Sequence, residues 1–257
     1  MNHKIWYAIN QPNILAGTTT RHGGVSYAPF ATFNLAFQTG DNPEDVKKNR
    51  QIFSQELGIP LSQMVFTHQS HSTVLKRVES KDQGKGTNAF AEGIPADALY
   101  TTEKNILLGV FHADCVPVFL THQHQPLVAI VHAGTPGSLN GITRLSIDQL
   151  VKDLSIQPAD LFAHLGPSLD FAHHPIKPER KDELLKLNPT FRHVIKKIGG
   201  DFFLDIPLLN YLQLVDAGLK PENIHVSNLD TFSNPTDYYS YDRDGKTGRH
   251  VSFIVLK

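Results

Sequence analysis

The 257-residue sequence has a single cysteine, Cys115, so no disulfide can close within the chain. It also lacks an excess of either charge: 24 Lys and Arg stand against 25 Asp and Glu, a net charge of −1 with His neutral. No basic surplus therefore points to nucleic acid, and no block of like charge reads as an interaction tail. No apolar run reaches the roughly 20 residues that cross a bilayer. Residues 1–7 hold neither the apolar core nor the cleavage pattern of a secretory leader. Internal repeats and linkers are missing as well. These absences predict one cytoplasmic domain over residues 1–257, a monomer or weak homodimer with no membrane or nucleic-acid partner.

What the chain does hold is concentrated in residues 105–141. Two apolar runs, residues 106–111 and 127–131, read as strands buried on both faces. The first runs into Ala113-Asp114-Cys115 and the second into His132-Ala133-Gly134. A buried lone cysteine is most often inert packing, and a histidine after a strand is most often a structural hydrogen-bonding residue. Here each stands at a strand end, where a thiol and an imidazole can face one space. Upstream, residues 64–66 enter a strand that delivers Thr67-His68-Gln69-Ser70-His71-Ser72. His71 lies 44 positions before Cys115, which lies 17 before His132. Such spacing fits no zinc finger, whose ligands come in close pairs. Only the fold can bring the three together. Two His and one Cys would leave zinc an open fourth position, the mark of a catalytic site. His68 competes with His71 for this role on local sequence.

Elsewhere, residues 14–30 read as a strand feeding a loop with Arg21, Gly23 and Gly24, whose amides and guanidinium suit an anion. Asp41 or Asn42 is placed to cap a helix that starts near Pro43 and closes at Gly58. Residues 73–78 and 96–102 read as strands, with an exposed loop at 80–95 between them. Residues 143–154, 178–187, 206–217 and 221–224 have helical patterning, and 161–165 reads as a strand. Residues 238–241 read as a strand entering an Asp-Gly turn, followed by a closing strand at 248–256. Asp97 is a candidate carboxylate for orienting a histidine, or a turn residue. The sum is an α/β chain with a mixed sheet.

The ordered motifs Thr20-Arg21-His22-Gly23-Gly24-Val25-Ser26, Asn34-Leu35, Asn49-Arg50, Gln69-Ser70-His71, Ala96-Asp97-Ala98, Ala113-Asp114-Cys115-Val116-Pro117, His132-Ala133-Gly134, Gly166-Pro167 and Gly245-Lys246-Thr247-Gly248-Arg249 resemble the laccase-domain, or polyphenol-oxidase-like, family. The likeness runs over nearly the whole chain. It implies zinc held by His71, Cys115 and His132, and so favours His71 over His68. It implies phosphorolysis of adenosine, inosine, guanosine and methylthioadenosine, together with adenosine deamination. It implies an α/β/α sandwich similar to deamidating toxins with a Cys–His pair. Read from the residues themselves, Arg21, Gly23, Gly24, Asn34 and Arg249 are the candidate contacts for substrate and phosphate, and Asp97 and Asp114 are candidates for moving protons. The sequence departs from the family pattern at Thr135-Pro136, where Trp-Arg is usual, and at Ser168, Asp230 and Asp242-Arg243.

Three other readings compete, the first of them on the same residues. Cys115 with His132 as base would make a metal-free cysteine hydrolase or amidase. A copper polyphenol oxidase needs many clustered histidines, and His122-Gln123-His124 and His173-His174 are the only close pairs of their kinds. A non-catalytic binding protein with structural zinc would need a fourth ligand.

Overall fold

The computed structural model describes residues 3–257. The strands are β1 Ile5–Asn10, β2 Ile14–Thr19, β3 Met64–Phe66, β4 Leu75–Arg77, β5 Ala98–Thr101, β6 Leu107–His112 and β7 Val116–His122. They continue with β8 Val128–Ala133, β9 Leu161–Leu165, β10 Pro175–Ile176, β11 Ile195–Ile198, β12 Asp201–Leu204, β13 Ile224–Val226 and β14 His250–Leu256. The helices are α1 Pro43–Leu57, α2 Thr135–Leu139, α3 Ile142–Leu154, α4 Pro178–Leu187, α5 Ile206–Asp216 and α6 Tyr241–Asp244. No helix among the described residues is long and apolar enough to cross a membrane.

The fold is mixed α/β with more than one sheet and no barrel. A five-stranded sheet has the order β1-β2-β14-β6-β3, and a six-stranded sheet the order β13-β9-β7-β8-β5-β4. Each combines parallel and antiparallel pairs, so both are mixed. A small antiparallel sheet, β10-β12-β11, is not hydrogen-bonded to either, but its Ile176, Ile195 and Leu204 pack on the core of the six-stranded sheet.

Alternation along the strands sets the layers, because successive side chains point to opposite faces. On β8, Val128 and Ile130 join Leu108, Val110 and Ile254 of the five-stranded sheet in one core. Ala129 and Val131 on the other face pack with Ile147 and Leu150 of α3 and Leu209 and Leu214 of α5. The outer face of the five-stranded sheet carries Phe253 and Leu107, covered by Phe53 of α1. Helices therefore flank β-structure on both sides as expected, with two face-packed sheets between them. Every residue of β6, β7, β8 and β14 is buried, which explains their near-continuous apolar runs.

Two expected elements differ. Residues 238–241 form no strand: Tyr239 is drawn inward, its hydroxyl donating to Phe30 O at 2.8 Å and its amide to His250 Nε2 at 2.8 Å. Ser240 instead caps α6, accepting from Arg243 N at 3.2 Å, and Gly245 ends that helix at φ 66°. Residues 221–224 make a single 3₁₀ turn, Pro221–Asn223, that leads into β13. At α1 the capping residue is Asn42, whose side chain accepts from Glu44 N at 2.9 Å; Asp41 is engaged by Ser26 and Asn34.

Candidate metal centre

The site forms where β7 and β8 meet the loop between β3 and β4. β7 and β8 are antiparallel, with Val116 opposite Ala133 and Pro117 opposite His132. Cys115, one residue ahead of β7, is thereby held beside His132 near the end of β8. The third member, His71, comes from the loop. Its ligand atom and those of Cys115 and His132 all lie within 4.8 Å of one another. His71 Nε2 stands 3.9 Å from Cys115 Sγ.

Asp97 fixes this arrangement. It is completely buried at the entry to β5. Its carboxylate accepts from the backbone amides of Ser70, His71 and Ser72 at 3.1, 2.9 and 2.7 Å, and from Ser72 Oγ at 2.7 Å. It also meets His132 Nδ1 at 2.9 Å, while its own carbonyl accepts from His132 N at 2.7 Å. One side chain thus shapes the His71 loop and orients His132, leaving Nε2 of His132 for the trio. His71 has φ 61° and Asp114 φ 98°, left-handed conformations that cost a non-glycine residue about 1 kcal/mol each. The Asp97 hydrogen bonds hold the first. Asp114 is held by Thr231 Oγ1 at 2.7 Å, Asp242 N at 2.8 Å and, at its carbonyl, Leu169 N at 2.9 Å.

Gly134 completes the cradle. A methyl group there would lie 2.9 Å from His71 Nε2 and 3.1 Å from Cys115 Sγ, and would collide with His71 Cδ2. The donor set of one thiol and two imidazoles suits a borderline-soft cation such as zinc. A carboxylate behind one imidazole is the usual support for such a ligand. The residues present therefore fit a metal ion.

Electrostatics agree. Burial alone would raise the Cys115 thiol, but the charge and hydrogen bond of His132, with His71, bring it below its ordinary value. Burial opposes charge on His132, yet the Cys115 thiolate and Asp97 raise it. Burial likewise opposes charge on Asp97, and the hydrogen bonds from His132 and Ser72 hold it well below the usual carboxylate range.

The trio opens on a cavity of about 510 Å³ whose walls include Phe90, His112, Tyr241, Asp242 and Arg249. The Arg249 guanidinium stacks 5.2 Å from the Tyr241 ring centre and donates from Nη1 to the carbonyls of Thr247 and Gly248, each at 3.0 Å. Among the described residues no carboxylate lies within ion-pair distance of it, so its charge is available to an anion.

Of the residues singled out from sequence, His71, Cys115, His132 and Arg249 are brought together. Arg21, Gly23, Gly24 and Asn34 do not line the cavity. The Arg21 guanidinium is occupied by the carbonyls of Ala31 and Pro235, at 3.1 and 2.9 Å. Gly23 packs on Lys4, and Gly24 on Thr32, Phe33 and Asn49. Asn34 is buried and acts through the backbone, its Oδ1 accepting from Arg249 N at 2.9 Å. His68 lies outside the trio, packed edge-on against Phe90 at 4.5 Å. Thr135 and Pro136 line the cavity, as does Asp114, both of whose oxygens are already hydrogen-bonded. Reading by motif gave no role to His112 or Tyr241, and marked Asp242 only as a departure from the family pattern. His112 carried a signal: it is the polar residue that ends the first apolar run.

A model of the family described as multi-copper polyphenol oxidoreductase laccase matches residues 15–257. Purine nucleoside phosphorylase YlmD of Bacillus subtilis is 36 % identical over 257 residues, covering 98 % of this chain and 92 % of that protein. The protein of the same name from Geobacillus stearothermophilus is 33 % identical over 244 residues, covering 93 % of this chain and 89 % of its own. Among solved structures, Bacillus licheniformis hypothetical protein YfiH superposes with a TM-score of 0.91 at 30 % identity, covering 98 % of this chain and 99 % of that one. The YlmD structure from Geobacillus stearothermophilus gives a TM-score of 0.90 at 32 % identity, over 96 % and 93 % of the two chains.

Proposed function

The chain belongs to the multi-copper polyphenol oxidoreductase laccase family, and on that premise we propose that it is a zinc-dependent purine nucleoside phosphorylase. Its substrates are adenosine, inosine, guanosine and methylthioadenosine, which it splits with phosphate into free base and sugar 1-phosphate. Adenosine deamination is a second activity of the same site. The observation that carries the reading is the convergence of His71, Cys115 and His132 on a cavity that also holds the unpaired charge of Arg249.

In phosphorolysis a phosphate oxygen bonds to the anomeric carbon as the bond to the purine nitrogen breaks. The electron pair leaves with the base, which then takes a proton. Negative charge must be held at the phosphate and then at the departing base. Arg249 is the cation placed for the phosphate, and its stacking on Tyr241 keeps it against the cavity wall. Asn34 keeps the Arg249 backbone in place. His71, Cys115 and His132 are the residues that would hold zinc, with Asp97 locking His132 and the His71 loop for that purpose. When bound, zinc supplies Lewis acidity toward whichever reactant oxygen reaches it.

The test is a zinc-loaded assay on each nucleoside, with and without phosphate, reading free base, sugar 1-phosphate and ammonia separately. Base and sugar 1-phosphate appearing only with phosphate is the expected result. Absence of phosphate-dependent base release from all four would refute the reading.

One observation favours a second reading. Cys115, His132 and Asp97 form a chain in which the thiol is lowered by a histidine and that histidine is held by a carboxylate at 2.9 Å. This is also the arrangement of a cysteine nucleophile. Metal analysis separates the two: a metal-free native protein whose Cys115 alkylates rapidly would favour the hydrolase. The described residues contain one candidate metal cluster, of three ligands, which gives a multicopper centre no support.

A further inference from the structure

His112 closes β6 and forms part of the cavity wall, although its side chain is only 2 % exposed. Its Nε2 lies 2.7 Å from Ser252 Oγ, which lies 2.7 Å from Thr18 Oγ1. These hydroxyls are buried in the sheet and anchor one edge of the ring. The other nitrogen, Nδ1, has no partner among the described residues. Nδ1 is itself buried, and a buried ring nitrogen left unpaired is costly, so a ligand group that reaches it from the cavity as the wall adjusts on binding relieves that cost. His250 stands across the ladder with ring centres 5.6 Å apart. Burial, His250, His132 and Arg249 together keep the His112 ring neutral.

We propose that His112 contacts the bound nucleoside, hydrogen-bonding through Nδ1 to one of its ribose hydroxyls. The inference rests on the phosphorylase reading above and adds a residue that no motif supplies. The choice of a hydroxyl follows from the Ser252–Thr18 relay. Each of those hydroxyls donates or accepts, so the relay fits either neutral tautomer of His112. Nδ1 then offers an N–H in one tautomer and a lone pair in the other. A hydroxyl serves both, whereas a purine carbonyl, ring nitrogen or amine serves one. The ribose carries the bond that breaks, and His112 stands three residues before Cys115 on the wall of the same cavity.

The experiment compares adenosine with its 2′-, 3′- and 5′-deoxy analogues in wild type, His112→Phe and His112→Asn, all zinc-loaded, by kcat/KM and by calorimetric binding without phosphate. Wild type is expected to prefer adenosine over one analogue by about tenfold, the worth of one hydrogen bond to a buried partner. That preference should fall to within about twofold in His112→Phe and return in part in His112→Asn. General damage to the fold would lower all four substrates together and leave the ratio intact. Should Phe not fold, the Asn variant and the ¹⁵N shift of Nδ1 in wild type on adding adenosine decide. Preferences unchanged in the variants, or an unmoved Nδ1 resonance, would overturn the proposal. If wild type releases no base at all, the phosphorylase reading falls by itself. Binding then judges His112: adenosine that fails to bind, or binds wild type and His112→Phe equally, overturns the assignment.

Discussion

Gly134 and Asp97 are the two residues through which the trio is most open to test. The backbone at Gly134, φ −70° and ψ 164°, is open to any residue, so Gly134→Ala adds no strain of its own. Its methyl group would nonetheless fall among the ligand atoms of His71 and Cys115. Gly134→Ala should therefore keep the thermal midpoint of the metal-stripped protein within a few degrees and lose stoichiometric zinc. Metal content after dialysis checks this, and one tightly held zinc per chain in the variant would count against the trio. Asp97→Asn should do more. An amide cannot accept from three backbone amides, a hydroxyl and an imidazole at once, and one of its ends is itself a donor. We expect a loss of about 3 kcal/mol in unfolding free energy and zinc affinity lower by about 10- to 100-fold, read by urea titration and chelator competition. Cys115 and His132 were legible in the sequence because each follows closely on an apolar run. His71 was not separable from His68 by local sequence, since what selects it is a left-handed residue stabilised by Asp97 from a distant strand. Arg21 reads as an anion ligand in isolation, but its guanidinium lies against Ala31, Pro235 and Tyr239 and does not line the cavity.

At the level of elements, α1 shows how local signals suffice when side chain and backbone are near neighbours. Asn42, Pro43 at the first helical position and Gly58 in the left-handed cap mark both ends. Asn42→Ala should cost about 1 kcal/mol of stability without altering nucleoside turnover, because the Asn42 side chain serves the helix end and does not line the cavity. Paired urea denaturation and kinetics on the same variant test both halves, and a change in kcat would show that α1 couples to the site. The segment at 238–241 is the opposite case. Its tyrosines have high strand propensity, but no neighbouring strand receives its amides. The Tyr239 amide goes to the His250 imidazole and its hydroxyl to Phe30, bonds that no local pattern encodes. The same tertiary bonds put Tyr241 and Asp242 on the cavity wall. The buried strands were legible in outline, whereas their division between two sheets was not. A continuous apolar run reports burial on both faces and is silent about whether a helix or a second sheet covers each one.

For the whole molecule, the fold takes several histidines wholly or partly out of water, and this has a consequence for stability against acid. Burial pushes His250 down to about 3 and His164 down to about 4. It also lowers His112, His122 and His174. As pH falls below the ordinary histidine value of about 6.5, the unfolded chain takes up protons that these folded side chains refuse. Stability is therefore greatest near neutrality and declines with acid, by up to about 1.4 kcal/mol per pH unit for each proton withheld. Asp205 and Asp242, which burial pushes upward, act in the opposite sense, but five histidines outnumber two carboxyls. Cys115 and His132 add little below pH 6, because their opposed shifts place their titration mainly above it and there they offset each other. Metal-stripped protein is the right sample, since a bound metal adds its own proton linkage. Urea unfolding at pH 7, 6 and 5 should give steadily smaller free energies, and His164→Gln should shallow the decline. Stability that stays level or rises from pH 7 to 5 would mean these histidines are hydrated or paired in solution, and their burial would be wrong at those positions.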